Sequence, residues 1–226
     1  MEIMGGKNKI SNIEISRGRE YFRIKSILKR YFDITDIKTI FYVIEDKHVY
    51  QIILDDDKSF RLDMYEDLEF RGVEYREKKF FYHKVAFDNK INVPEPLAYY
   101  KTPVGFYKYS KWIEGKRIGY FWNLPELFRK AGKEIAKIHL IKDPSSDKFL
   151  GYNDFSKPNA IWTKDKEIFL VDVEIQPKKD VDANAVKILL KNIRDKDRIK
   201  WFIRGYREYR DPTMIIKELE KKNYKW

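Results

Sequence analysis

Cysteine is absent from all 226 residues, and histidine occurs only three times. The first absence removes disulfide scaffolds, thiolate zinc sites and cysteine nucleophiles, and three scattered histidines build no histidine-rich metal site. Long apolar runs are missing as well. The opening residues, 1–8, are polar and glycine-bearing, without the apolar core of a signal peptide, and no stretch approaches the ~18 apolar residues of a membrane span. A cytoplasmic chain with no transmembrane segment is expected. Acidic residues are in deficit, 36 against 47 Lys and Arg, which leaves a formal charge of +11. That balance favours anionic partners without choosing between nucleotide, nucleic acid and acidic membrane surface. What is present is a foldable chain: 43% of residues are hydrophobic, too many for a disordered tail, and the length suits one large domain or two small lobes.

Residues 16–32 place Tyr21, Ile24, Ile27, Leu28 and Tyr31 at helical spacing, with Ser16 as the expected N-cap. Three runs rich in β-branched and aromatic residues follow at 38–45, 48–54 and 59–65, broken by Asp46-Lys47 and Asp55-Asp56-Asp57, and read as an antiparallel meander. A helix over 73–88 ends ahead of Pro94 and Pro96, and two short strands fit 97–101 and 105–113. After the break at Glu114-Gly115 the pattern turns mainly helical, over 125–141, 182–194, 196–209 and 213–222. A strand pair at 160–163 and 167–173 interrupts it. The expected organisation is α+β: an N-lobe over 1–110 with an N-terminal helix, a five-stranded antiparallel sheet and a second helix, and a helical C-lobe over 111–226.

The chemistry concentrates in Gly151-Tyr152-Asn153-Asp154-Phe155-Ser156-Lys157-Pro158-Asn159 and in Phe169-Leu170-Val171-Asp172-Val173-Glu174. Asp154 and Asn159 lie five apart, and Asp172 closes an apolar run thirteen positions later. Phosphoryl transfer needs one carboxylate to orient an acceptor hydroxyl and take its proton, and an Asn oxygen with a second carboxylate to hold Mg²⁺ on the phosphates. Taken singly, Asp154 reads equally as a turn or cap residue, Asn159 as a strand start and Asp172 as a solvated strand end.

Together, with this spacing, they resemble the H-R-D-L-x-x-x-N loop and D-F-G aspartate of the protein-kinase-like phosphotransferases, in particular the aminoglycoside phosphotransferase, choline kinase and lipopolysaccharide kinase branch. The helix at 132–139, ending in His139, looks like the one before the catalytic loop of that branch. Residues 109–115, Tyr-Ser-Lys-Trp-Ile-Glu-Gly, look like the strand-to-hinge segment whose backbone holds adenine, and Glu77 resembles the ion-pairing glutamate of the N-lobe helix. The resemblance implies a bilobed kinase-like fold with Asp154 as the catalytic base and Asn159 and Asp172 as ligands of Mg²⁺ or Mn²⁺. It implies ATP as cofactor, held by Arg61, Glu77, Lys47, Trp112 and Glu114.

The departures are specific. Glu45-Asp46-Lys47-His48 stands where a glycine-rich phosphate loop belongs, with Lys47 as a substitute point charge or a solvated hairpin tip. The third strand has no Lys at the expected place, so Arg61, sixteen positions before Glu77, is taken as the phosphate-binding partner of that glutamate, and Asp63 shares its face. Tyr152 and Asn153 replace His-Arg, Lys157 is open to a γ-phosphate or a solvated role, and Glu174 to a metal, substrate or ion-pair role.

Asp182 follows Asp172 by ten positions, too few for the activation segment of a protein kinase, and looks like the helix start that tethers the catalytic loop in the small-molecule branch. A small molecule, sugar or lipid head group is therefore the expected acceptor. Basic residues around Lys178-Lys179, Lys191, Arg194, Lys200 and Arg204 offer an anionic surface contact, or a nucleic-acid contact interleaved with Trp201, Phe202, Tyr206 and Tyr209. The rival reading is a noncatalytic, pseudokinase-like scaffold that binds nucleotide.

Overall fold

The computed structural model describes residues 13–44, 48–66 and 68–224. Two compact units result: one runs to Phe80 and resumes over Glu95–Trp112, and the other takes Phe81–Pro94 and Ile113 onward.

The first unit is built on a six-stranded antiparallel sheet rather than five strands: β1 (Ile13–Glu14), β2 (Ile37–Ile44), β3 (Val49–Leu54), β4 (Ser59–Tyr65), β5 (Pro96–Thr102) and β6 (Gly105–Lys111), in the order β1-β2-β3-β4-β6-β5. The extra strand also explains why the first helix starts late. Ile13 and Glu14 pair with β2, and the Ile15 amide bonds to Ile40, so Ser16 sits in the connection and Gly18, at φ 94, takes the N-cap position of α1 (Arg19–Phe32) with no side-chain cap bond. One face of α1 packs Ile24, Ile27 and Leu28 against Ile40, Tyr50, Ile52, Leu62 and Met64 of the sheet. Strand alternation therefore turns Arg61 and Asp63 to the opposite face. Helix α2 (Phe70–Asp88) follows β4 and carries Glu77.

The second unit has its own core. The apolar positions of α3 (Pro125–Ile138) recur at helical spacing, Leu127, Phe128, Ala131, Ile135 and Ile138, and all are buried. Helix α5 (Lys196–Arg207) lies directly against it. A Cβ on Gly132 would stand 2.0 Å from the Phe202 carbonyl oxygen, and one on Gly205 1.7 Å from that of Arg129, so these glycines set the backbone-to-backbone approach of the two helices. Strand β7 (Lys116–Arg117) joins the hairpin of β9 (Ala160–Trp162) and β10 (Ile168–Leu170). A separate pair, β8 (Phe149–Tyr152) with β11 (Ile175–Lys178), has too few residues to show a period in sequence. The helix expected over 182–194 divides into α4 (Val181–Ile188) and a π-helical turn, Leu189–Ile193, which Arg194 ends in the left-handed region. Helix α6 (Thr213–Lys221) completes the regular elements of the described residues. Among the described residues, no helix is long and apolar enough to cross a membrane.

Candidate active site

The segment after β8 is a tight loop because its polar groups are satisfied locally. Pro158 lies in a 3₁₀ turn, Lys157–Asn159, closed by the Asn159 amide on the Ser156 carbonyl at 3.0 Å. Asn159 is buried, and its Nδ2 donates to the Asp154 carboxylate at 2.7 Å and to the Asp154 carbonyl at 3.2 Å. Since both partners are acceptors, the amide nitrogen must face them, and the carboxamide oxygen is left to serve a cation.

The return segment is bound to this loop from three sides. The Val171 amide donates to Asn159 O at 2.9 Å, the Asn153 amide to Glu174 O at 2.9 Å, and the Tyr152 hydroxyl to Asp172 O at 3.0 Å. These bonds correct the expectation that Asp172 closes a strand. Strand β10 stops at Leu170, and Asp172 stands in the turn before β11, because its neighbour Val171 bonds the 153–159 loop instead of extending the hairpin. Tyr152 is fully buried beneath the site. Burial raises its phenol well above the ordinary value, and the charges of Asp172, Asp154 and Glu174 raise it further. Tyr152 was legible only as a replacement for the family's histidine; its role as the strut under Asp172 was not.

Among the described residues, no three His, Cys, Asp or Glu side chains form a preassembled metal cage. The donors present are nonetheless of the right kind. Asn159 and Asp172, with Glu174 on the same segment, offer hard oxygen ligands, and Mg²⁺ ordinarily takes one or two carboxylates and completes its shell from substrate phosphates and water. His139 is not a candidate ligand: it is buried between the Tyr206 hydroxyl at 2.8 Å and Asn184 Oδ1 at 3.2 Å, and burial pushes its pKa down to about 3.

Other expectations require correction. Asp182 does not tether the loop; it pairs with Arg210 at 3.3 Å, while Asp180 caps α4 by accepting from the amides of Asp182 and Ala183. The contact to β8 comes from Asn184, whose Oδ1 lies 2.7 Å from where a Cβ on Gly151 would sit. Lys157 holds its ammonium over the Trp122 ring at 5.3 Å. Phe202 and Tyr206 are core residues, which removes them from any nucleic-acid face.

In the first unit, Arg61 pairs with Asp63 at 2.6 Å and Lys108 joins the same carboxylate at 3.2 Å, whereas Glu77 pairs with Lys101 at 2.7 Å and accepts from Tyr99 at 2.8 Å. The expected Arg61–Glu77 pair is thus replaced by two separate clusters, because Asp63 is two residues away on the face of Arg61 and Lys101 faces Glu77 from β5. Burial acts to raise the Asp63 carboxyl, but the charges of Arg61 and Lys108 outweigh it and hold it far below the usual range. Trp112 is half-buried, with its amide on the Ser59 carbonyl at 3.1 Å, and Glu114 is exposed. Lys47 lies outside the described residues.

The sequence matches no protein-family model and no curated protein. Solved structures do match. Spectinomycin phosphotransferase bound to AMP aligns with a TM-score of 0.62 at 14% identity, over 89% of this chain and 85% of that one. Its complex with ADP and spectinomycin gives 0.63 at 13% identity, over 89% and 84%. The Plasmodium vivax ethanolamine kinase gives 0.64 at 12% identity, over 99% and 86%. The fold is that of the protein-kinase-like phosphotransferases.

Proposed function

We propose that this protein is an ATP-dependent phosphotransferase acting on a hydroxyl of a small molecule, sugar or lipid head group. The observation that carries the reading is the grip of Asn159 on Asp154, with the backbone of Asp172 held on the Tyr152 hydroxyl and that of Glu174 on the Asn153 amide. Asp154 accepts the proton of the acceptor hydroxyl. The acceptor oxygen bonds to the γ-phosphorus as the bond to the β–γ bridging oxygen breaks, and ADP departs. A bound Mg²⁺ or Mn²⁺ would neutralise phosphate charge, and Asn159 and Asp172 are the residues that would hold it. Arg61, Glu77, Lys47, Trp112 and Glu114 are assigned to the nucleotide on the order of residues in the chain. Support for a small acceptor comes from the ten positions between Asp172 and Asp182, which β11 and the start of α4 fill, and from neighbours named for spectinomycin and ethanolamine.

One feature favours the scaffold reading: β4 carries a buried carboxylate, Asp63, beside the arginine assigned to the phosphates. The two readings separate in one experiment, a screen of sugars, aminoalcohols and lipids with radiolabelled ATP alongside melting curves with ATP and a divalent ion. Transfer is expected in the wild type. Asp154→Asn should lower turnover by about 10²–10⁴-fold with nearly unchanged ATP affinity, and Asp172→Asn should remove the divalent dependence of ATP stabilisation. No transfer to any acceptor, with equal ATP stabilisation in excess EDTA, would establish the scaffold instead.

A further inference from the structure

A groove of about 660 Å³ runs between α4 and α6, lined by residues of the β11–α4 turn, α4, the π turn and α6 and by none of the catalytic segments. Its floor is apolar: Ala183, Val186 and Leu190 form one stripe along α4 and its continuation, and Met214, 55% exposed, faces them from α6. Acidic and basic side chains both line its walls, but they differ in what they are bound to. Asp180 is spent on capping α4, Asp182 on Arg210 and Glu218 on Lys221 at 2.5 Å. Lys187, Lys191 and Lys222 make no ion pair among the described residues. The groove therefore keeps a positive excess: Asp182 and Glu218 are neutralised by ion pairs, Asp180 retains its charge at the start of α4, and three ammonium groups have no ion-pair partner among the described residues. Nearby Lys178 feels the same excess: burial lowers its pKa first, and the charge of Lys187 lowers it further.

We propose that this groove binds a single-chain anionic amphiphile, its head on Lys187, Lys191 and Lys222 and its tail along Ala183, Val186, Leu190 and Met214. The volume lies in the range of small-ligand sites, whose walls are mostly apolar with a few placed polar groups. Charge complementarity selects the head: an anion gains three charge-assisted contacts, while a cationic or neutral head leaves the lysines repelling one another. This inference is independent of phosphotransfer, and its test reads binding alone.

The experiment labels the methionine methyls of the full chain with ¹³C and titrates dodecyl phosphate and dodecanoate below their micelle concentrations, with inorganic phosphate and dodecyltrimethylammonium as comparisons. The Met214 methyl is expected to move saturably with either anionic amphiphile, the tighter one defining the head as phosphate or carboxylate. Lys187→Glu with Lys191→Glu should weaken binding at least tenfold, as should Leu190→Asp. Lys217→Glu, on α6 but outside the groove, should leave it unchanged. Melting curves check each variant, and the corresponding Lys→Gln pair replaces any that fails to fold. Equal binding of the cationic amphiphile or of inorganic phosphate overturns the proposal, as does no saturable shift. A Met214 shift that tracks protein concentration, or one seen only with phosphatidylglycerol vesicles, also overturns it, in favour of a second copy or a bilayer surface.

Discussion

Asn159→Asp tests the site through a single atom. The substitution keeps shape and volume but replaces the donor that lies 2.7 Å from the Asp154 carboxylate with an acceptor. Two ionised oxygens at that distance repel by roughly 6 kcal/mol at an effective dielectric of ~20 and by about 1.5 kcal/mol in water. Asp154 is partly exposed, so a value of about 2–3 kcal/mol is expected, or roughly 4–12 °C in melting temperature for a chain of this size. The pair relieves the repulsion by sharing a proton, which raises one of its pKa values. A carboxyl whose folded pKa is raised contributes its stability below the unfolded value, near pH 4, and loses it as pH rises through the folded value. The variant should therefore match the wild type closely at pH 4 and fall furthest behind at pH 7–8, opposite to ordinary acid sensitivity. Asn159→Ala, which introduces no charge, should show a deficit that is nearly flat with pH. Melting curves across that range decide it, and an Asn159→Asp deficit independent of pH would refute the geometry on which the proposed active site rests.

Asp63→Asn removes the buried counter-charge of Arg61 and Lys108, whose side chains are only 14% exposed, and should cost about 3 kcal/mol in urea unfolding. Because the folded Asp63 pKa is depressed, this deficit should be full above pH ~4 and narrow as pH falls below it; a loss under ~1 kcal/mol would contradict the ion-pair cluster. His139, buried and neutral with a pKa near 3 against the ordinary 6.5, contributes stability that is present above pH 6.5 and lost as pH falls toward 3, at up to about 1.4 kcal/mol per pH unit. The stability difference between wild type and His139→Gln should accordingly shrink between pH 7 and pH 4, and a constant difference would mean that the imidazole titrates freely.

Much of the fold was legible because its signals are local. Strand β4 is found over the same residues that its β-branched and aromatic run marks, and β2, β3, β5 and β6 differ from their expected ranges by a residue or two. The helices α3, α5 and α6 follow their apolar periodicity, with ends one to three residues short of expectation. Strands β1, β7, β8 and β11 were not legible, since two to four residues hold too few periods to distinguish a strand from a loop.

The sequence by itself determined the α+β class, the absence of any cysteine chemistry and the Asp154, Asn159 and Asp172 spacing, because each is written within a short window of chain. Only the tertiary structure decided which charges meet. Arg61 goes to Asp63 and not to Glu77 because Lys108 and Lys101, far along the chain, arrive on neighbouring strands and complete two separate clusters. It likewise decided that Asp172 leaves its strand to be held by the Tyr152 hydroxyl, and that Asn184 rather than Asp182 abuts the strand leading into the 153–159 loop. Each outcome is a choice among partners of similar chemistry. Coulombic and hydrogen-bond energies depend on distance in space, and a pattern along the chain encodes that distance only where the partners are neighbours within one helix or strand.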